Sequence, residues 1–221
     1  RKPVPMMRLL QGDVGSGKTV VAALAMSIAA DNETQSVLMA PTELLAEQHM
    51  DNLGGWFEPL GVKTVLLKSK LTQKERRLIL SEIKSGEASI IVGTHALFQN
   101  KVEYKNLSLV IVDEQHRFGV HQRLALREKA TVNKLSPHQL VMTATPIPRT
   151  LAMSAYADLD CTIIDELPPG RTPVNTAVIS SERRESVTER IEKSCANNNQ
   201  AYWVCTLIEE SETLQCQAAE V

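Results

Sequence analysis

The octet Gly12-Asp13-Val14-Gly15-Ser16-Gly17-Lys18-Thr19 constrains the fold more than any other stretch of the 221-residue chain, because it meets the pattern G-x-x-x-x-G-K-[ST] at every fixed position. Glycines let such a loop close around phosphate oxygens, and its backbone N–H groups, with the start of the following helix, supply positive potential. Lys18 adds a full charge toward the β and γ phosphates, and Thr19 is placed to ligate magnesium. The flanks suit the loop: Met6 to Gln11 reads as a short apolar strand entering it. Val20 to Ala30 is almost wholly apolar, the pattern of a buried helix leaving it.

The same rhythm repeats downstream. Val37-Leu38-Met39-Ala40 reads as a strand ending at Pro41, after which Thr42 caps a helix through Leu44, Leu45, Gln48 and Met50, with Glu43 in its first turn and Gly54 and Gly55 as its stop. Val62 to Leu67 is a further strand. Thr72-Gln73-Lys74-Glu75 has the capping-box form before a helix through Leu78, Ile79 and Ile83 that ends near Gly86. Ser89 to Thr94, Leu107 to Glu114 and Gln139 to Thr145 are apolar runs too short for helices, each closing on polar residues, and Pro146 and Pro148 prevent the last from continuing through a sheet. Strands alternating with helices imply a parallel, doubly wound α/β sheet whose ligands bind at the strand carboxyl ends.

A phosphate loop alone does not separate a hydrolase from a kinase, so the tip Asp113-Glu114-Gln115-His116 is the second decisive piece. Asp113 is suited to hold magnesium, directly or through water, and Glu114 to orient and deprotonate a water attacking the γ-phosphate. Two acids also end many strands merely as solvated charge; the loop upstream is what directs this pair toward chemistry.

Composition narrows the partners. Lys and Arg number 24 against 26 Asp and Glu, a net charge of -2, so bulk electrostatics favour neither nucleic acid nor a membrane surface. Any polynucleotide contact must come from local groups. Cys161, Cys195, Cys205 and Cys216 show no C-x-x-C pair, which fits free, mostly buried thiols in a reducing cytoplasm. With no apolar run of about 18 residues and no signal-peptide layout, a cytoplasmic protein is expected, and Arg1 reads as the boundary of a fragment. His116, Arg117, His121, Arg123 and Arg127 form a basic cluster without zinc spacing, and Trp56, Tyr156 and Trp203 are too scattered for a base-stacking platform, so core packing is expected for those three aromatics. The proline-rich segment Asp165 to Pro173 reads as a linker, beyond which Thr176 to Ser180, a polar helix around Glu182 to Ala196 and a strand Ala201 to Leu207 begin a domain that only 14 more residues cannot finish.

Taken in order, the octet, Met39-Ala40-Pro41-Thr42-Glu43, Gly93-Thr94-His95, Asp113-Glu114-Gln115-His116 and Thr143-Ala144-Thr145 resemble the motifs of superfamily-two helicases and translocases. The fuller strings Asp113 to Arg123, Thr143 to Thr150, Asp165 to Val174 and Tyr202 to Glu212 resemble the RecG family of bacterial ATP-dependent DNA helicases. The translocase module of the transcription-repair coupling factor carries similar strings, and Gln115 and the Tyr202 to Glu212 segment favour the former.

The resemblance implies a RecA-like P-loop NTPase domain over residues 1–164, an interdomain linker over 165–175 and the truncated start of a second RecA-like motor domain over 176–221. It implies ATP and Mg2+ as cofactors and forked or branched DNA as the partner of a longer, monomeric parent that drives branch migration and fork regression. It assigns Gly15, Gly17, Lys18 and Thr19 to phosphates and metal, makes Gln115 and His116 reporters of the γ-phosphate to Thr143 and Thr145, and places Pro41, Thr42, Gly93, Thr94 and His95 against the nucleic-acid backbone. For Thr42, capping and phosphate contact are compatible. A wedge domain and a complete second motor with arginine-bearing motifs, which such parents supply in cis, are not in this sequence.

Overall fold

The structure, a computed structural model, describes residues 4–99, 101–114, 136–145, 159–166, 168, 170–172 and 174–204. The described chain forms two compact units that divide between Arg171 and Thr172, inside the segment expected as a linker.

In the first unit, seven strands make one wholly parallel sheet: β1 (Met7–Gly12), β2 (Gln35–Met39), β3 (Thr64–Leu67), β4 (Ile90–Gly93), β5 (Leu107–Asp113), β6 (His138–Thr143) and β7 (Asp160–Ile164). Their order across the sheet is β3-β4-β2-β5-β6-β1-β7. Helices α1 (Lys18–Asp31), α2 (Glu43–Phe57) and α3 (Gln73–Ser85) lie between β1 and β2, β2 and β3, and β3 and β4. The inner strands β2, β4 and β5 are short and largely apolar because both faces are covered, so successive residues feed two cores. Leu109 and Ile111 pack with Leu38, Leu10, Met26 and Leu53 on one face, and Val110 and Val112 with Val37, Met39, Ile91 and Ile83 on the other.

Where the signals are local, expectation and structure coincide. Thr72 and Glu75 form the reciprocal capping box at the start of α3, and Gly86 closes that helix. The Thr42 hydroxyl accepts from Leu45 N–H at the start of α2 (3.2 Å). Gly54 and Gly55 do not stop α2, which runs on to Phe57. Two glycines cost a helix about 1 kcal/mol each, whereas burying the Leu53 and Phe57 side chains contributes about 1.5–3 kcal/mol apiece. The helix ends at Phe57 and gives way to a 3-10 turn, Glu58–Leu60, which contains Pro59 and closes on Gly61 in the left-handed region.

Several expectations that depended on burial are corrected. Helix α1 is not buried all round: Ala22, Ala23, Met26 and Ala29 face the sheet, while Val20, Val21, Leu24 and Ile28 are exposed. Trp56 is 43% exposed because the inward stripe of α2 is taken by Ala46, His49, Leu53 and Phe57. Cys161 and Cys195 are exposed free thiols, the first on the edge strand β7 and the second on a polar helix, so neither is a core residue. Strand β7 carried no sequence signal strong enough to be expected. It pairs with β1, where Arg8 donates to the Thr162 hydroxyl (2.6 Å) and to Asp160 (3.2 Å).

In the second unit, a 3-10 turn at Ser181–Arg183 leads into helix α4 (Arg184–Ala196), close to the expected polar helix. Residues 174–180 and 201–204 take no regular structure, so the described part of the expected strand Ala201 to Leu207 is not a strand. Trp203 is half exposed and lies under the Arg184 guanidinium (5.4 Å to the ring centre), a cation–π contact and not core packing. Tyr156, Cys205 and Cys216 lie outside the described residues.

Gly93 exemplifies how tightly the strand tips pack. A Cβ there would sit 2.6 Å from the Leu67 carbonyl oxygen and 3.0 Å from the Leu97 side chain. Gly93→Ala is therefore expected to destabilise the first unit by about 1–3 kcal/mol, an overpacking cost, seen as a lower urea midpoint. An unchanged midpoint would mean that β3 and β4 can separate freely.

Candidate active site

Parallel strands bring every carboxyl tip to one edge of the sheet. The sheet order places the tips of β5, β6 and β1 side by side, with Asp113 in register with Met142 and Gln11 with Thr143. The phosphate loop that leaves β1 and the acids that end β5 thus flank β6.

The loop is built for an anion. Gly15 and Gly17 adopt φ of 84° and 94°, the left-handed region that side chains resist, and Gly17 hands the chain into α1. Helix α1 begins with no side-chain cap and no acid in its first turn, in contrast to α2 and α3, which carry both. Its first N–H groups and the positive end of its dipole are left for a ligand. The Ser16 hydroxyl is buried and has no partner among the described residues, a polar atom that a phosphate oxygen would satisfy. Lys18 donates to the carbonyls of Gly12 (2.7 Å) and Asp13 (2.8 Å), which curls its ammonium over the loop. Val14 is exposed, and Thr19 opens α1 beside Lys18.

The segment after β7 holds the loop from outside. Arg171 pairs with Asp13 (3.0 Å) and reaches the Val14 carbonyl (3.4 Å), while the Pro168 ring lies 3.5 Å from where a Cβ of Gly15 would stand. These groups are too exposed for the ion pair to add much stability, so its role is geometric.

At the second tip, Asp113 is 9% exposed and its Oδ2 accepts a hydrogen bond from His49 Nε2 (2.8 Å). Glu114 turns sharply out of the strand with φ of 50°, a left-handed conformation that costs a non-glycine residue about 1–3 kcal/mol and is held here by its N–H on the Met142 carbonyl (2.9 Å). The turn delivers its carboxylate to β6, where it accepts from Ala144 N–H (3.1 Å) and from the Thr143 hydroxyl (3.3 Å). Thr143 Oγ1 in turn accepts from Thr145 N–H (3.1 Å). A continuous polar path thus joins the acid to Thr143 and Thr145. The resemblance gave that path to Gln115 and His116, which lie outside the described residues, as does the basic cluster Arg117 to Arg127.

The remaining candidates occupy the neighbouring tips of β2 and β4, tied by Ala40 N–H on the Gly93 carbonyl (2.9 Å). Thr42 and His95 are exposed and Pro41 is half-buried, but Gly93 is buried and Thr94 is 4% exposed, its hydroxyl unpartnered among the described residues. Of the Gly93-Thr94-His95 string, only His95 offers its side chain to a large polyanion. Nearby, Glu43 accepts from Ser69 N–H (3.0 Å), and the Ser69 N–H and then its hydroxyl hold that carboxyl below the usual range.

Sequence reasoning did not find His49, Arg171 or Pro168 as parts of this edge. His49 lies inside an expected helix with nothing to mark it, and the Pro168 to Arg171 stretch reads as linker and as part of a family string, with no role in the site.

Among the described residues no three His, Cys, Asp or Glu side chains converge on a metal position, and no helix is long and apolar enough to cross a membrane. Residues 6–154 match the family model described as DEAD/DEAH box helicase. The ATP-dependent DNA helicase RecG of Haemophilus influenzae is 62% identical over 99% of this chain and 32% of its own length. That of Escherichia coli K12 is 61% identical over 98% of this chain and 32% of its own. A solved structure of RecG bound to a three-way DNA junction is similar with a TM-score of 0.71 at 42% identity, covering 89% of this chain and 26% of that one. The helicase MrfA bound to DNA, at 20% identity and a TM-score of 0.64 over 88% of this chain and 31% of its own, shares the fold. The chain spans about a third of the length of the curated relatives it matches. Because the family pattern covers most of the chain, from the strand that enters the phosphate loop to beyond both tips that face it, the chain belongs to the DEAD/DEAH box helicase family.

Proposed function

We propose that this chain is the ATP-binding motor segment of a RecG-type DNA helicase, which uses ATP hydrolysis to drive branch migration and fork regression of branched DNA in recombination and repair. The observation that carries the reading is the meeting of the phosphate loop with Asp113 and Glu114 across β6, in a chain that is more than 60% identical to two RecG proteins. Gly12 to Thr19 would cradle the phosphates, with Lys18 leaving the Gly12 and Asp13 carbonyls for them. Glu114, oriented by Ala144 and Thr143, would take the proton of the attacking water. Thr19 and Asp113 would hold Mg2+, whose remaining ligands would come from phosphates and water, as a site with so few protein ligands requires. Bound magnesium would supply charge neutralisation on the transferred phosphoryl group.

The path from Glu114 through Thr143 to Thr145 would then link the state of the site to β6. Pro41, Thr42 and His95 would touch the DNA backbone, which positions a strand without reading its sequence.

A longer parent would supply the second motor domain, whose arginine finger contributes about 10³ to 10⁵ in rate in related phosphoryl-transfer systems. The 221-residue chain is therefore expected to bind ATP with magnesium, to hydrolyse it feebly and to unwind nothing alone. Phosphate release measured with and without forked DNA tests this. Robust DNA-stimulated hydrolysis by the chain would overturn the division of labour, and failure to bind ATP would overturn the site.

A further inference from the structure

We infer that His49 is a positioning residue for the magnesium-facing carboxylate: its imidazole fixes Asp113 so that one carboxylate oxygen is spent on the protein and the other is presented to the metal side. This rests on the reading that Asp113 faces Mg2+.

His49 and Asp113 are 64 residues apart in sequence, yet the Nε2 to Oδ2 distance is 2.8 Å. Their side chains are only 11% and 13% exposed, so the pair is largely shielded from water. A buried carboxylate left without a donor is costly, and one held by a single donor has a fixed rotamer. His49 is the only polar residue on the inward stripe of α2, where its neighbours are Ala46, Leu53 and Phe57. An apolar side chain would fill that stripe equally well, so packing does not explain an imidazole here. What the imidazole adds is a hydrogen bond from α2 to the carboxylate at the β5 tip.

The placement also spans the working edge. Helix α2 starts at Thr42, on the tip of β2, and reaches Asp113 on the adjacent strand β5. One rigid element therefore runs from a candidate DNA-contact tip to the candidate metal ligand. Groups that orient a metal ligand from behind typically contribute 10–100-fold to metal affinity or activity.

The test uses the 221-residue chain and a fluorescent ATP analogue, titrated with Mg2+ after an affinity measurement in EDTA. The variants are Asp113→Asn, His49→Leu, His49→Asn and His49→Gln, with circular dichroism as the check on folding. His49→Leu keeps the volume without the donor, His49→Asn keeps a donor too short to reach, and His49→Gln restores one at nearly the original reach. The expected result is that Asp113→Asn, His49→Leu and His49→Asn each raise the Mg2+ midpoint for analogue tightening by about tenfold or more. Affinity in EDTA should stay within about twofold, and His49→Gln should recover most of the shift. The inference is overturned if Asp113→Asn moves the midpoint while His49→Leu and His49→Asn do not, or if they weaken binding equally in EDTA. A midpoint unmoved by Asp113→Asn would instead overturn the assignment of Asp113 to the metal, and the role of His49 with it. Should His49→Leu fail to fold, the His49→Asn and His49→Gln pair decides by the same criteria.

Discussion

Replacing Glu114 by Gln is expected to lower ATP turnover by roughly 10²- to 10⁴-fold, the usual contribution of a positioned general base, while ATP affinity stays within about twofold. The substitution is close to isosteric. Its amide oxygen can still accept from Ala144 N–H, which the carboxylate does at 3.1 Å, so the left-handed turn at residue 114 and the link to β6 should persist. What is lost is basicity at the atom that would take the proton of water. Phosphate release with the chain in excess over radiolabelled ATP makes slow turnover measurable, and equilibrium binding of ATP supplies the control. A fall in turnover matched by an equal fall in affinity would show that Glu114 holds the site together and does not act on water. Unchanged turnover would point to a nucleotide-gated switch in which these acids only end a strand.

The second large effect concerns Lys18. Lys18→Ala removes an ammonium that lies over the loop on the Gly12 and Asp13 carbonyls, at 2.7 and 2.8 Å. Hydrogen bonds to charged groups are each worth about 1.5–3 kcal/mol, so ATP affinity should fall about 10- to 100-fold. Without nucleotide, the loss of the two carbonyl hydrogen bonds should lower stability by no more than about 1–3 kcal/mol, because Lys18 is only half-buried and the loop keeps Gly15, Gly17 and the turn from Ser16 N–H to the Asp13 carbonyl. Titration of a fluorescent ATP analogue reads the affinity, and differential scanning calorimetry reads the stability. Affinity within threefold of the native chain would mean that α1 and the loop N–H groups do most of the binding.

Features legible in the sequence were those whose cause lies within a few residues. The capping box at Thr72 and Glu75 needs only a hydroxyl and a carboxylate three positions apart, and it forms as expected. The apolar runs became strands because a parallel sheet buried on both faces accepts little else. The octet became a phosphate loop because its glycines, its lysine and the helix behind it define that geometry locally. Expectations failed where the outcome depended on distant packing. Gly54 and Gly55 signal a stop in the sequence, but the burial of Leu53 and Phe57 against the sheet outweighs their cost. Val20, Val21, Leu24 and Ile28 lengthened an apolar run without showing which side of α1 would meet the sheet. Trp56 and Cys161 belong to residue types that favour interiors, yet the stripe of α2 and the edge position of β7 leave both outside.

By itself, the sequence determined that a phosphate loop follows a strand, that two acids end another, and that helices and strands alternate around them, since each of these is written in adjacent residues. Only the tertiary structure decided which tips are neighbours. Strand order is set by crossover connections and two-sided burial, not by position in the chain, so β5, β6 and β1 lie together although β1 comes first and β6 nearly last. That order brings Glu114 to Thr143 and Ala144, lays Pro168 and Arg171 on the loop, and sets His49 against Asp113. A hydrogen bond between residues 64 apart leaves no periodicity in the sequence, because nothing local requires it until the sheet has closed around both partners.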